Sequence, residues 1–460
     1  MIDIRIRIFV IMAFVLTWPG ESFARDVYVR LSNSGSYSIG ITEGMLTMTD
    51  SEGRLANLGD SAEISVSGGY AVIMGHQFLL PVRISGAGLL QHKGRMYRGA
   101  FMITPRAGLL NVIDVEAYLC GVLPAEVGAN WHNEALRTQA ICARTYVLKQ
   151  SMNRAEKGYD VVDTDADQVY KGAGVETAKT NQAVASTAGE VLTYGRDLAF
   201  TYFHSDSGGH TADIEDVWGH KNIPYLAGVP EAVNYKSPVS VWNAKVSSQK
   251  IQSAVKKVTG ADIGEISEVQ VSEVDDGGRA VTMTFIGSKG SKSMKASQFR
   301  LAVSPREIKS TMFTPSGGAF QVDNTTTPSG LVTQRKPQSS GNELTFEEEQ
   351  GIAKMASEGV FTTTELVDMI TNPDKRKKYY QIGIGRSGKK PETTTTARKP
   401  RSKYGYSIEK VGNNFIFYGR GWGHGVGMSQ WGAMAMAEQG YTAEKILAHY
   451  YPGTSIRKIK

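Results

Sequence analysis

The spacing of apolar residues is most regular after residue 131. From His132 onward, apolar side chains recur every three or four positions, at Leu136, Ala140, Ala143 and Val147. This period predicts a helix that packs one face against a core. Asn130 is its predicted N-cap, because its side-chain oxygen can accept a hydrogen bond from a free N–H of the first turn. Upstream, the apolar run 109–115 predicts a strand.

Glu126 stands between that strand and that helix. Pro124 and Gly128 flank it, and both residue types are typical of turns. The pattern therefore predicts a rigid strand–turn–helix unit that holds Glu126 immediately ahead of a helix. This makes Glu126 the candidate for the chemistry.

Elsewhere the pattern predicts further strands and helices. Short β-type runs separated by Gly, Ser and Asn fill residues 25–108 and predict mostly antiparallel strands. The elements predicted nearer the C-terminus are a helix near Ser247–Val258, strands at Ile266–Val274, Ala280–Ile286 and Asn414–Tyr418, a helix capped by Ser429 and ended by Gly440, and a helix from Thr442 that Pro452 stops. Together they predict an α+β fold.

The segment 314–404 differs in composition from the rest. Polar low-complexity tracts open and close it and cannot form a core, while caps at Thr345 and Thr364 predict a small helical hairpin between them. The run 373–403 has eleven Lys/Arg against two Asp/Glu, a local charge of +9, whereas the whole chain carries +6. A solvated linker is the main interpretation of this run. The alternative is attraction to anionic envelope polymers or lipid headgroups; without interleaved aromatic residues, nucleic acid is not a predicted partner.

The N-terminus has the pattern of an export signal. Arg5 and Arg7 precede the short apolar run Ile8–Leu16, and Ser22-Phe23-Ala24 follows with small residues at its first and third positions. Residues 1–24 are therefore predicted to be a cleaved signal peptide, with an uncleaved membrane anchor as the alternative. The protein is expected in the periplasm, the cell wall or the extracellular space of a bacterium.

Cys120 and Cys142 are the two cysteines, one on each side of Glu126. In an exported protein such a pair is compatible with a disulfide, and two buried free thiols are the alternative. No Cys-x-x-Cys or paired histidine accompanies them, so neither a metal site nor a cysteine nucleophile is predicted.

Three aspartates alternate from Asp163 to Asp167 and suggest a calcium loop. That loop requires Gly and Glu where this chain has Gln168 and Gly174. No metal and no cofactor is therefore predicted.

Four stretches in order resemble a known family. YLCGVLPAEVGANWHNEALRTQAICARTY, from residue 118, resembles the core motif of the SpoIID/LytB family of bacterial cell-wall proteins, and GRGWGHGVGMSQWGAMAMAEQGYTAEKILAHYYPGT, from residue 419, resembles its closing motif. DTDADQVYKG and YFHSDSGGHTADIEDVWG, between them, also match family patterns. The resemblance implies a mixed family core with a glycan-binding cleft. This core comprises residues 109–313 and 405–460. It follows the β-rich region 25–108 in the sequence, and the insertion 314–404 interrupts it.

The same resemblance implies a peptidoglycan lytic transglycosylase whose essential acid is Glu126. Its implied substrate is glycan strands from which an amidase has removed the peptides. The expected substrate-binding residues are Arg137, Arg144, Gln168, Tyr170, His204, Ser207, Trp422, His424 and Gln430. Some members hold a metal through Cys and His ahead of the QVY element; this chain has Asp and Ala there, which argues against zinc.

The proposed reaction requires Glu126 to be protonated near neutral pH, although a free Glu titrates near 4.3. A helix N-terminus and nearby arginines favour the anion, so desolvation around Trp131 and Tyr118 would have to outweigh them. Two other functions remain open at this point: a non-catalytic wall-binding modulator of an amidase, and a true hydrolase with a second carboxylate such as Asp206 or Asp216.

Overall fold

The computed structural model describes residues 25–220, 223–314 and 405–459, with a few single residues between Phe361 and Ile382. The predicted signal segment 1–24 lies outside the described residues. So do the predicted hairpin and the basic run 373–403, apart from those single residues. Within the described ranges, no helix is both long enough and apolar enough to cross a membrane.

The elements are numbered in chain order. The strands are β1 (Asp26–Ser32), β2 (Ser36–Ile41), β3 (Leu46–Thr49), β4 (Leu55–Gly59), β5 (Ser61–Ser67), β6 (Tyr70–Ile73), β7 (His76–Leu79), β8 (Val82–Ser85), β9 (Leu90–His92), β10 (Arg95–Tyr97), β11 (Ala100–Thr104), β12 (Gly108–Asp114), β13 (Val161–Val162), β14 (Glu190–Tyr194), β15 (Asp197–Leu198), β16 (Phe203–His204), β17 (Val241–Ser247), β18 (Ile266–Val274), β19 (Ala280–Gly287), β20 (Gly290–Lys295), β21 (Tyr406–Ser407), β22 (Glu409–Val411), β23 (Asn414–Arg420), β24 (Met428–Ser429) and β25 (Ser455–Lys458). The helices are α1 (Val115–Glu126), α2 (Asn133–Asn153), α3 (Ala178–Ser186), α4 (Ile214–Trp218), α5 (Ser248–Thr259), α6 (Ala296–Val303), α7 (Gln430–Glu438) and α8 (Ala443–Tyr450).

The chain forms two compact units. The first comprises residues 25–203, 428–449 and 454–459, and the second comprises the described residues of 204–427 together with 450–453. Each unit has its own apolar core. The mixture of sheets and helices confirms the α+β prediction.

Mostly antiparallel sheets provide most of the first unit, and the pair β13–β1 is parallel. A seven-stranded sheet has the order β13-β1-β12-β11-β8-β3-β4, and a six-stranded sheet has the order β10-β9-β2-β5-β6-β7. Alternate residues of β2 and β5 are buried, as expected for strands that pack one face on a core. The apolar run 78–84 is divided between β7 and β8 on either side of Pro81, because proline cannot donate to a sheet ladder.

Helix α2 is the centre of the first unit. It packs against α1, α3 and α7, and most of its residues are buried, polar ones included, so it is covered nearly all round rather than on one stripe. Its N-cap is His132, whose Nδ1 accepts from the N–H of Glu134 at 3.3 Å. The prediction of Asn130 as the cap was therefore wrong by two positions.

The second unit contains a three-stranded sheet, β17-β23-β22, and a four-stranded sheet, β20-β19-β18-β21. Helices α5 and α6 pack against each other and against these strands. The predicted helix and strands of residues 247–286 agree with α5, β18 and β19 to within a residue or two. Phe285, Phe299 and Phe417 are fully buried at the centre of this core.

Candidate active site

Glu126 is the last residue of helix α1. The helix begins after Asp114, whose side chain accepts from two backbone N–H groups of the first turn. It continues through Pro124, because a proline near the helix end removes only one helical hydrogen bond. The N–H of Val127 then closes the last turn on the Leu123 carbonyl at 3.0 Å. The predicted turn ahead of a helix was wrong: the carboxyl stands at a helix C-terminus.

Two donors hold the Glu126 carboxyl group. The backbone N–H of Val169 donates to Oε1 at 2.6 Å, and Nε2 of Gln430 donates to Oε2 at 3.4 Å. Gln430 is the first residue of α7 and is 6% exposed. Among the described residues, no Lys or Arg forms an ion pair with Glu126. The group is therefore positioned by neutral donors from two distant parts of the sequence.

The pKa of Glu126 is raised above its ordinary value. Desolvation by burial is the largest cause, the bonds from Val169 and Gln430 oppose it, and the negative charge of Asp165 adds to it. The helix C-terminus acts in the same direction as burial, since its free carbonyls carry partial negative charge and disfavour an anion. Desolvation was expected to compete with a helix N-terminus and with arginines. Glu126 instead ends a helix, and no arginine is among the groups that shift its pKa.

Asp165 gives a test of this electrostatic account. An acid with a raised pKa loses activity as the pH rises through that pKa. Because Asp165→Asn removes a negative charge, the pKa of Glu126 should fall and the alkaline limb of the pH–rate profile should move to lower pH. Asp165 is exposed, so the shift should shrink in high salt. Reaction rates measured across pH at low and high salt check this; an alkaline limb that stays in place, or moves to higher pH, contradicts it.

The segment around Val169 is held by its two neighbours. Gln168 and Tyr170 are 0% and 1% exposed: Oε1 of Gln168 accepts from the Tyr118 hydroxyl at 3.1 Å, and the Tyr170 hydroxyl donates to Asn111 at 2.8 Å. They therefore cannot line a cleft as predicted, and that assignment is corrected to anchoring. The residue between them supplies the contact to Glu126, through its backbone.

Arg144 is a structural residue. Its side chain is completely buried, and its Nε and Nη2 bond the two carboxylate oxygens of Glu116 at 2.8 and 2.5 Å. It also donates to the carbonyls of Glu190 at 3.0 Å and Val184 at 3.3 Å. The predicted substrate contact at Arg144 is therefore wrong, because no part of its side chain is accessible and it joins α1, α2 and α3 instead.

Arg137 is partly exposed on α2. It pairs with Glu134 at 3.0 Å and with Glu444 of α8 at 3.6 Å. The N–H of Ala443 also donates to Glu134, at 2.7 Å. Arg137 therefore ties α8 to the start of α2, and its contact with substrate stays a prediction.

Cys120 and Cys142 are not joined by a disulfide. Cys142 is buried, with its Sγ 4.0 Å from the Sδ of Met428. Cys120 is partly exposed and lies in the electrostatic environment of Glu176 and Arg98; burial raises the pKa of its thiol to about 11. The disulfide that the sequence left open is not formed, because the two side chains face different neighbours.

Trp131, five residues after Glu126, forms an aromatic pair with Trp431. The Trp131 ring lies against the backbone of Gly128, where an added Cβ would be 2.5 Å from the indole nitrogen. Its centroid is 5.0 Å from that of Trp431, with the ring planes inclined by 55°. Trp431 follows Gln430, so an aromatic pair adjoins one of the two residues that hold the carboxyl. Both rings are partly exposed.

In the second unit, the backbone of Val426 orients two histidines. Its carbonyl lies 3.2 Å from Nδ1 of His204, and its N–H donates to Nδ1 of His424 at 3.0 Å. A carbonyl can only accept, so His204 carries its proton on Nδ1, whereas His424 accepts at Nδ1 and carries its proton on Nε2. Burial, followed by the charges of His424 and Arg279, holds the pKa of His204 well below its usual value. The pair, 5.5 Å apart between centroids, thus has opposite tautomers.

The accessible surface of this cluster is aromatic. Trp218 and Trp422 are each 37% exposed, and Trp218 lies 5.0 Å from His424. His204 and Ser207 are 4% and 0% exposed, and the Ser207 hydroxyl donates to Glu231 at 2.5 Å. The predicted contact of Ser207 with substrate is therefore wrong, because its side chain is completely buried. The predicted contact of His204 stays a prediction. Trp422 and His424 stay predicted contacts.

Sequence reasoning did not select Val169, Trp218 or Trp431. A backbone N–H has no side-chain signature, so Val169 gave no signal. Both tryptophans lie inside stretches that had been recognised, and partly exposed tryptophan next to a selected residue was a signal that could have found them. Among the described residues, no group of three or more His, Cys, Asp or Glu is arranged to hold a metal.

Comparison with known proteins finds a family profile and several relatives that match this chain. The profile of the SpoIID family, described as Stage II sporulation protein, matches residues 105–194, a range that contains Glu126 and Val169. The amidase enhancer of Bacillus subtilis strain 168 is 30% identical over 74% of this chain, and the match covers 40% of that relative. The chain thus spans less than half the length of this relative.

Two relatives match over most of their own length. Stage II sporulation protein D of Bacillus subtilis strain 168 is 28% identical over 75% of this chain and 74% of the relative. An uncharacterized protein of Brachyspira hyodysenteriae is 26% identical over 79% of this chain and 73% of its own. These matches confirm the recognition made from the motifs: the chain belongs to the SpoIID/LytB family.

Proposed function

We propose that the protein is a lytic transglycosylase that cleaves peptidoglycan glycan strands between N-acetylmuramic acid and N-acetylglucosamine. The observation that carries the proposal is the single carboxyl of Glu126, whose pKa is raised by burial and which is held by neutral donors. Such a group can hold a proton at a pH where an ordinary Glu is ionised. Denuded strands are the proposed substrate, and the relatives named for sporulation and amidase enhancement support a role at the cell wall.

One carboxyl is sufficient for this reaction. Glu126 gives its proton to the glycosidic oxygen as the bond to C1 of the muramic acid breaks. The same carboxylate then takes the proton of the C6 hydroxyl as that oxygen bonds to C1 and closes a 1,6-anhydro ring. The attacking hydroxyl belongs to the substrate itself, so its effective concentration is high. No water is consumed, and Glu126 ends the cycle protonated.

Product analysis tests the proposal. Purified protein is incubated with peptide-free glycan strands, and the fragments are examined by mass spectrometry. We expect N-acetylmuramic acid ends in the anhydro form. Reducing ends would indicate a hydrolase instead, with Asp165 as the second carboxylate to examine because its charge acts on Glu126.

The second candidate function is a non-catalytic modulator of an amidase. The relative named amidase enhancer favours it, and an N-acetylmuramoyl-L-alanine amidase is the proposed partner in either case. A protein that leaves denuded glycan intact but increases the release of stem peptides by such an amidase would support the modulator and contradict the transglycosylase.

We also propose that the protein works in the bacterial envelope, outside the cytoplasm. The signal-like pattern of residues 1–24 supports this location. Attraction of the basic run 373–403 to anionic polymers or headgroups belongs to the same proposal, and a salt-sensitive loss of wall binding when that run is deleted would support it.

A further inference from the structure

The two oxygens of the Glu126 carboxyl are held by donors of different kinds. Oε1 receives the Val169 backbone N–H at 2.6 Å, and a backbone N–H can only donate. While that bond is present, a proton on Oε1 could not point toward the Val169 N–H, because a donor cannot accept it. A proton carried by Glu126 therefore belongs on Oε2.

The neighbour of Oε2 can both donate and accept. Gln430 lies with its Nε2 3.4 Å from Oε2, and a primary amide has an NH₂ donor and a carbonyl acceptor that exchange places when its last torsion turns by half a rotation. The NH₂ group suits the carboxylate, and the carbonyl suits the protonated acid. No other residue that contacts this carboxyl among those described has both functions.

The backbone holds Gln430 firmly in place. It opens helix α7, which Ser429 caps by accepting from the N–H of Gly432 at 3.2 Å, and its side chain is nearly buried. A mobile water is therefore a poor substitute for its amide. The bond also acts on the proton affinity of Glu126, because donation by Gln430 opposes the rise in pKa that burial causes.

From this geometry we propose that Gln430 is a positioning residue that holds Oε2 of Glu126 in both the acid and the base step, following the proton by turning its amide. The inference rests on the proposed transglycosylase function. In the first step the proton leaves Oε2 for the glycosidic oxygen while the C1–O bond breaks. In the second, Oε2 takes the C6 hydroxyl proton while the O6–C1 bond forms. Gln430 exchanges no atoms with the substrate.

Gln430→Met tests the proposal, because methionine has similar length and neither donor nor acceptor. We expect kcat to fall by about 10- to 100-fold, the loss typical of a hydrogen bond to a charged group, with KM nearly unchanged. The variant loses both the bond to the carboxylate and the bond to the protonated acid, and the bond to the charged form is the stronger one, so the pKa of Glu126 rises. The alkaline limb of the pH–rate profile should therefore move to higher pH, opposite to Asp165→Asn. Gln430→Glu should move it further, because a second negative charge disfavours the first. Gln439→Met, an exposed glutamine after the same helix, is the matched control.

A second readout does not depend on catalysis. The Glu126 carboxyl is titrated by carbon-13 NMR in protein labelled at its glutamates, and the resonance is assigned by its absence in Glu126→Gln. A higher pKa in Gln430→Met supports the proposal even if the wild type yields no anhydro product, in which case only the proposed function fails. An unchanged pKa in a folded Gln430→Met protein overturns it. A raised KM with unchanged kcat also overturns it, because that result describes a substrate contact rather than a positioning residue.

Discussion

Glu126→Gln is expected to reduce the formation of anhydro ends by about a thousandfold or more. Loss of one general acid–base group typically costs about 10²- to 10⁴-fold, and here one group serves both steps. The amide of glutamine keeps the size of the side chain but can neither give up a proton to the glycosidic oxygen nor accept one from the C6 hydroxyl. The Val169 N–H retains an oxygen to bond, so the fold should be preserved.

The measurement is the initial rate of anhydro-product release from denuded glycan, together with a thermal melt of each variant. Glu156→Gln is the matched control, because this glutamate is exposed and follows α2 in the same unit. It should retain wild-type activity. Full activity in Glu126→Gln would remove the basis for assigning the chemistry to this residue.

Removing Glu116 is expected to cause the largest loss of stability. Arg144 is completely buried, and Glu116→Leu leaves its charge with only neutral partners. Breaking a buried pair from one side typically costs about 3–5 kcal/mol. For a unit of this size, that corresponds to a fall in Tm of about 6 to 20 °C. Calorimetric melts of the wild type and the variant check this.

A double variant separates the ion pair from simple packing. Glu116→Leu combined with Arg144→Met removes both charges, so it should be more stable than Glu116→Leu alone. Arg95→Met serves as the control in the same unit, since the Arg95 side chain is 45% exposed in its pair with Asp163 and should contribute little. A Glu116→Leu protein with the same Tm as the wild type would show that the buried charge of Arg144 is stable without Glu116.

The sequence predicted much of the secondary structure around the site and less of its contacts. Apolar residues at every third or fourth position identified α2, and continuous or alternating apolar residues identified β12, β18 and β19. Glu126 was selected from its place between a predicted strand and a predicted helix, and from a family motif. The turn assigned to it was wrong because proline and glycine were interpreted as boundaries, whereas Pro124 is tolerated in the last turn of α1.

The contacts that decide the chemistry come from distant parts of the chain. Val169 is 43 residues from Glu126 and Gln430 is 304 residues away, and no local pattern encodes such pairings. Extended segments also hide which residue faces a site, so Gln168 and Tyr170 were selected when the backbone between them makes the bond. Arg144 was selected for its charge, but its side chain is buried in an ion pair with Glu116, which lies 28 residues earlier.

The most direct test of the central claim is cleavage of denuded glycan in water labelled with heavy oxygen, followed by mass spectrometry of the new ends. If Glu126 is the acid and base and the substrate's own C6 hydroxyl is the nucleophile, the new muramic acid ends will be anhydro and will contain no solvent oxygen. Ends that are heavier by one labelled water would show that water is the nucleophile and would contradict the account.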